Sequence, residues 1–292
     1  MKSSENIDVL VIIPCFNGQE CIVEAINSVV KSSVKADILI VDNASTDLSV
    51  SMIKKIDTPI QVIQNKFNEG FGRGLNKGFD HGKKHGYSYF LILNQDAILL
   101  EKSIERMIDF VSRMKESQWF FVCPYNLGPD TETAEHYFAD NLQKRSGHSE
   151  LKVLGDHRFM EVQFINAACW LINSRALTVL KGFDRRFFMY GEDLDICNRA
   201  LHLGYKMLVL ENTFCIHHKA EGDYENHPAK MLALKLGEVM AWYLNPSYSR
   251  VSKFKRFLAV TLASLKLAIK GKTRDASEKF RINLIAILRL IG

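Results

Sequence analysis

The sequence predicts an α/β fold in which a mostly parallel sheet is flanked by helices, followed by a C-terminal helical extension. Two observations carry this: short β-branched apolar runs alternate with helix-period segments through the first 120 residues, and from residue 229 onward only helical periodicity remains. A third fits the same class, since several of the runs end in Asp, Asn or Glu, and in such sheets ligands bind outside the carboxyl ends of strands.

Val9-Leu10-Val11-Ile12-Ile13-Pro14 reads as a strand buried on both faces, stopped by Pro14, Asn17 and Gly18. Ile22, Ala25, Ile26, Val29 and Val30 then recur at helical spacing. Ile38 to Val41 is a second strand with a helix from Asp47 to Ile56, Ile60 to Ile63 a third, and Tyr89 to Leu93 a fourth followed by a helix from Ile104 to Met114. Residues 125 to 160 are polar and broken by Gly128-Pro129, Gly147 and Gly155, which reads as a long binding loop or lid. Apolar runs return at Ala168–Ile172 and Met207–Leu210, flanking a helix near Leu194–Leu203. The expected division is 1–228 for the α/β unit and 229–292 for the helical, basic extension.

At 292 residues the chain can bury a sizeable core, and 47% hydrophobic with 24% charged residues is a globular composition. The net charge of +5 is unevenly placed: residues 250–292 carry eleven Lys or Arg against two acids, and the remainder is slightly acidic. Six cysteines without a C-x-x-C pair suggest reduced, structural thiols and a cytosolic protein, and no apolar run approaches the roughly 18 residues that would span a bilayer. The polar segment Met1 to Asp8 lacks the pattern of a signal peptide.

Asn94-Gln95-Asp96 leaves the fourth strand with an amide and a carboxylate two residues apart, an arrangement that suits a hard divalent cation and equally a capped turn. Asp42-Asn43-Ala44-Ser45-Thr46-Asp47 contains helix-capping residues, but Asp42 precedes the cap and is free to accept hydrogen bonds from a base or ribose. The run from Asn68 to Gly78 is Gly-rich, yet Leu75 breaks the dinucleotide fingerprint and no phosphate-loop motif exists; it reads as a flexible turn or a loop of close ligand approach, with Arg73 a phosphate contact. Glu192 and Asp193 start a helix after an aromatic loop, where acids either complement the helix dipole or serve as a general base. Alternation along Asn212–His217 puts His217 at a strand end, as a structural residue or a metal ligand; His218 is less favoured.

In order, Pro14-Cys15-Phe16-Asn17, Asp42 to Asp47, Asn68-Glu69-Gly70-Phe71-Gly72, Asn94-Gln95-Asp96, Gly182-Phe183-Asp184, Gly191 to Asp195 and His217 resemble the family 2 glycosyltransferases, most nearly their rhamnosyltransferase-like branch, over roughly residues 7 to 222. The resemblance implies a GT-A fold and an inverting, metal-dependent transfer from a nucleoside-diphosphate sugar. It assigns Asp42 to the base, Asp96 and His217 to Mg²⁺ or Mn²⁺, Asp193 to deprotonation of the acceptor and Glu192 to its support. Pro14, Phe16, Asn17, Asn43, Asn68, Gly70, Arg73, Asn94 and Gln95 complete the implied nucleotide site. Asn94 departs from the family pattern by replacing the first Asp of D-x-D.

The implied partners are a dTDP- or UDP-sugar donor and a glycan or lipid-linked acceptor in bacterial surface polysaccharide synthesis, with no nucleic acid. The basic, apolar helices of 250–292 are read as a contact with an anionic membrane surface or as a packed helix pair or homodimer contact, and hence the protein as cytoplasmic or peripheral on the cytoplasmic membrane face. Rival readings are a nucleotidyltransferase, which Pro14-Cys15-Phe16-Asn17 does not fit, and a catalytically silent sugar-nucleotide-binding or scaffold protein, which Asn94 favours and Glu192-Asp193 opposes.

Overall fold

A computed structural model describes residues 8–114, 118–145, 150–218 and 227–291, side chains at 274, 276 and 291 excepted. The N-terminal segment 1–7 and residues 219–222, which the resemblance touches, lie outside the described residues. Ten strands form a single mixed sheet in the order β3-β2-β1-β4-β9-β6-β10-β8-β7, with β5 on the other part of β10. β1 (Val9–Cys15), β2 (Asp37–Asp42), β3 (Ile60–Gln64) and β4 (Tyr89–Leu93) are mutually parallel, and β9 (Cys169–Asn173) runs antiparallel between β4 and β6 (Trp119–Leu127). β10 (Lys206–His217) is parallel to β6 and antiparallel to β5 (Ala97–Leu99) and β8 (His157–Glu161), which closes a hairpin with β7 (Lys152–Leu154).

Continuous apolar strands are explained by cover on both faces, because side chains alternate across a strand. Val9, Val11 and Ile13 of β1, Ile38 and Ile40 of β2 and Leu91 of β4 join one core cluster, capped by α1 (Ile22–Val30) and α4 (Ser103–Arg113). Leu10, Ile12, Leu39, Val41, Phe90 and Ile92 face the opposite cluster, capped by α3 (Phe71–His85), α6 (Ser174–Leu180) and α7 (Glu192–His202). α2 (Ser49–Ile53) is shorter than the sequence suggests.

The Gly-rich segment is the main departure. Instead of a flexible turn it opens α3, and its glycines let that helix lie directly on the sheet. A Cβ at Gly78 would stand 2.7 Å from Ile12 Cγ2, and one at Gly82 would stand 2.9 Å from Leu10 Cδ2 and collide with Phe90. Spaced four residues apart, the two share one helix face. The expected long loop is likewise structured: it contains the end of β6, α5 (His136–Arg145) and the β7–β8 hairpin. The runs at 207–210 and 212–217 are one strand, β10, with a register shift between Leu210 and Phe214 that absorbs the break.

The extension folds as α8 (Pro228–Leu244), α9 (Arg250–Ile269) and α10 (Thr273–Ile291). Leu236, Met240 and Ala241 of α8 pack with Ile282 and Ala286 of α10 and with Phe187, a third apolar cluster that ties the extension to the α/β unit. Tyr243 donates a hydrogen bond to Asn283 Oδ1 at 2.9 Å, and the Arg256 guanidinium lies 4.2 Å from the Trp242 ring centroid. Among the described residues no helix is long and apolar enough to cross a membrane.

Candidate active site

A cavity of about 600 Å³ opens at the carboxyl ends of β1 and β4. Its lining comprises Pro14, Phe16, Asn43, Asn68 and Gly70, then Asn94, Asp96, His217, Glu192 and Asp193, and residues of α5, α8 and the 164–168 loop. Asp96, Glu192, Asp193 and His217, which the sequence offers separately, therefore line one cavity.

Strand pairing fixes the middle. β5 and β10 pair with Ala97 opposite His217, and His218 N donates to Asp96 O at 2.9 Å, so Asp96 and His217 are held side by side by backbone bonds. Asn94 N donates to Ala168 O at 2.9 Å, which anchors the third member. His217 Nε2 lies 3.4 Å from Asp96 Oδ1 and 3.5 Å from Asn94 Nδ2, while Asn94 Oδ1 and His217 Nδ1 are buried without hydrogen-bond partners. A buried amide oxygen without a donor is costly. A divalent cation between carboxylate oxygen, amide oxygen and imidazole nitrogen would satisfy it, so these residues fit such an ion. Exposed His218 does not line the cavity.

Among the described residues, another group has metal-ligand spacing: Asp109, Asp156 and His157, on α4 and the β7–β8 turn. None of the three lines the cavity. His157 Nε2 is 2.7 Å from Asp109 Oδ2, but Arg113 Nε is 2.8 Å from the same oxygen and Arg106 Nη1 3.5 Å from Asp156 Oδ2. Guanidinium groups already neutralise these carboxylates, which makes the cluster a structural ion-pair knot fastening the hairpin to α4.

The acids opening α7 divide by environment. Asp195 points inward onto Arg199, 2.8 Å away, and burial raises its pKa against that pairing. Glu192 is 4% exposed, one of its carboxyl oxygens is buried without a hydrogen-bond partner, and burial, followed by the neighbouring Asp193 charge, pushes it up to about 8. Burial therefore favours its protonated form. Asp193 is half-buried in the cavity wall and accepts a hydrogen bond from Leu194 N at 2.8 Å.

The raised Glu192 value has a stability consequence. The folded state binds this proton up to about pH 8, whereas an unfolded glutamate releases it near its ordinary 4.5, so its contribution to stability declines as pH rises between those limits and then levels off. Glu192→Gln removes this titration. The expected result is a melting temperature that falls less from pH 5 to about 8 in the variant than in the parent; parallel melting curves would refute the assignment.

The loop ahead of α7 is held by α8. Gly191, at φ +88°, lies against Gly237, where a Cβ would stand 2.5 Å from the Gly237 carbonyl carbon; conversely, a Cβ on Gly237 would collide with Tyr190 O. Two glycine backbones in contact set the position of Glu192 and Asp193. Nothing in the sequence pattern marks Gly237, which sits inside an otherwise ordinary helix. Chain division at 228 thus falls beside the site, since Lys230, Leu234 and Glu238 of α8 line the cavity.

At the opposite end most of the polar side chains expected to meet a nucleotide hold loops. Gln95 clasps the Phe16 backbone, accepting from its N–H at 2.9 Å and donating to its O at 3.3 Å. Asn17 Oδ1 accepts from Thr46 N at 2.9 Å, and Asn68 Oδ1 accepts from Gly70 N at 2.8 Å. Asn43 Oδ1 accepts from Asn65 at 2.8 Å and its amide donates to Gly70 O at 3.2 Å, while Lys77 donates to Asn65 Oδ1 at 2.6 Å. Asp42 is 1% exposed, with Oδ1 accepting from Ser45 N at 3.2 Å. The structure does not bring Asp42, Asn17 or Arg73 to the cavity wall. Arg73 turns away, donating from Nε to Arg185 O at 2.7 Å, because the helical course of α3 carries it to the outer surface. Phe16 remains half-exposed at the rim.

Of the wall opposite, the sequence showed only that residues 125–160 contribute to binding; α5 of that stretch lines the cavity, but its partners were not legible. Arg145 Nη2 of α5 pairs with Glu238 of α8 at 2.7 Å and its guanidinium lies 5.2 Å from the Phe164 ring centroid; Asn141 donates to Asn166 Oδ1 at 3.1 Å. These residues come from a polar stretch without periodicity and from the extension, so no local signal joins them.

The parallel β1–β4 core, antiparallel β9 and flanking helices define an α/β fold of the GT-A type. The family model for glycosyl transferase family 2 matches residues 10–178, more than half of the chain, and the protein belongs to that family. It is 31% identical over 114 residues to an uncharacterized glycosyltransferase of Haemophilus influenzae, covering 37% of this chain and 34% of the relative. To the N-acetylglucosaminyl-diphospho-decaprenol L-rhamnosyltransferase of Mycobacterium tuberculosis it is 33% identical over 72 residues, 25% of this chain and 23% of the relative. The matches thus span about a third or less of those relatives' lengths. Among solved structures, S. aureus TarS 1–349 in complex with UDP-GlcNAc superposes with TM-score 0.62 at 15% identity, over 97% of this chain and 81% of TarS. The mannosyltransferase PcManGT from Pyrobaculum calidifontis, in complex with GDP-Man and Mn²⁺, superposes with TM-score 0.60 at 13% identity, over 99% and 87%.

Proposed function

We propose that this enzyme transfers a sugar, with rhamnose the leading candidate, from a dTDP- or UDP-sugar to a hydroxyl of a glycan or lipid-linked acceptor in surface polysaccharide synthesis, with inversion at the anomeric carbon. The observation that carries this reading is the single wall shared by Asn94, Asp96, His217, Glu192 and Asp193. Nucleotide-sugar complexes of structurally similar proteins and the limited identity to a rhamnosyltransferase support it.

Pro14, Phe16, Asn43, Asn68 and Gly70 would form the nucleoside end, with buried Asp42 bracing the Ser45 turn beneath it, and Gln95 and Asn17 keeping the Phe16 loop in place. Asp96, His217 and Asn94 would hold Mg²⁺ or Mn²⁺. When bound, the ion supplies positive charge against the diphosphate. Asp193 accepts the proton of the acceptor hydroxyl through its carboxylate. Burial favours the protonated form of Glu192, which leaves the half-buried Asp193 in the cavity wall as the group that takes the proton. Acceptor recognition falls to the α5–α8 wall. Residues 1–228 would then be the catalytic unit, with α8 of the extension completing its site.

Chelation tests the ion. Transfer is expected to disappear in excess chelator and to return with Mn²⁺ or Mg²⁺, and Asp96→Ala should weaken Mn²⁺ binding, read by titration calorimetry without substrate. Full activity in chelator would overturn this part.

A further inference from the structure

α9 packs chiefly on α10, which in turn packs on α8, with Arg256 also lying on Trp242 of α8; the opposite side of α9 is exposed. That side is a continuous stripe. Val251, Phe254, Leu258, Leu262, Leu265 and Ile269 are spaced by three or four residues, which sets all six within one narrow face of a helix, and they are 43–77% exposed. A row of this length on an exposed helix marks an interaction surface. The stripe is edged by exposed Lys255 and Lys266.

Charge selects the occupant. Residues 250–292 carry eleven basic residues against two acids, so two copies meeting face to face through this element would bring like charges together. An anionic lipid surface accepts both parts, the stripe among acyl chains and the lysines at headgroups. We propose that α9 docks lengthwise on an anionic bilayer through this stripe; resting on the glycosyltransferase reading above, the docked helix holds the α8 side of the cavity near a membrane that carries a lipid-linked acceptor.

Flotation of the full-length protein with vesicles tests this directly. Binding is expected with phosphatidylcholine vesicles containing phosphatidylglycerol and not with phosphatidylcholine alone. Leu258→Asp combined with Leu262→Asp should lower binding by at least about tenfold, and Lys255→Glu with Lys266→Glu should lower it comparably at low salt. Nucleotide-sugar hydrolysis in solution, which requires no membrane, is expected unchanged in both variants and reports folding and the catalytic reading separately. Parent protein that stays unbound, variants that bind as well as the parent, or a dimer in sedimentation that the Leu258→Asp, Leu262→Asp change splits, would each overturn the proposal.

Discussion

Asp193→Asn is expected to reduce sugar transfer by about 10²–10⁴-fold, the range associated with loss of a general base, while nucleotide-sugar binding stays within about twofold. The asymmetry follows from position. Asp193 stands in the cavity wall on the first turn of α7, on a different element from Pro14, Asn43 and Asn68, which would hold the nucleotide. No neighbour can substitute for it. Glu192 is buried, which pushes its pKa up and favours its protonated form, and Asp195 is buried against Arg199. Isosteric Asn keeps the hydrogen bond from Leu194 N, so the helix start is preserved. Single-turnover transfer and calorimetric binding of the nucleotide sugar separate the effects, and turnover near the parent rate would remove Asp193 from the role.

Gly237→Ala should be nearly as damaging, although the residue touches no substrate. Its added methyl would collide with Tyr190 O and stand 3.1 Å from Gly191 N, in a loop where both Tyr190 and Gly191 already have positive φ. Backbone atoms cannot swing aside as a side chain end can, so α8 or the loop must move. Overpacking of this kind costs about 1–3 kcal/mol of stability. A displacement approaching 1 Å at Asp193 costs on the order of 10²-fold in turnover. Leu232→Ala, an exposed change on the same helix, serves as the control. Matching melting temperature and turnover in Gly237→Ala and Leu232→Ala would show that α8 does not position the catalytic loop.

These effects bear on what could be read from sequence. β1, β2 and β4 were legible because strands covered on both faces are apolar without interruption, and the strand-end rule then pointed to Asn94, Asp96 and His217. The Gly-rich segment was legible in part: Asn68 and Gly70 line the cavity ahead of a helix, but because glycine weakens a helix by propensity the sequence hid that α3 starts at Phe71 and that Gly78 and the following Gly82 let it approach Ile12, Leu10 and Phe90. Arg73 changed place for the same reason: on a helix it faces outward. Gln95 and Asn43 line the cavity, but they and Asn17 also spend polar atoms on neighbouring loops, a use that the sequence does not reveal. Arg145, Phe164 and Glu238 meet across 93 residues of chain, and no short-range pattern announces such a wall.

Release of nucleoside diphosphate from a panel of dTDP-, UDP- and GDP-sugars, measured with Mn²⁺ for the parent and Asp96→Ala, tests the central claim most directly. Turnover of at least one donor by the parent, lost in the variant and in chelator, is the result that a shared Asn94–Asp96–His217 and Asp193 wall predicts. Turnover that survives Asp96→Ala, or a folded parent that turns over none of the donors, would contradict it.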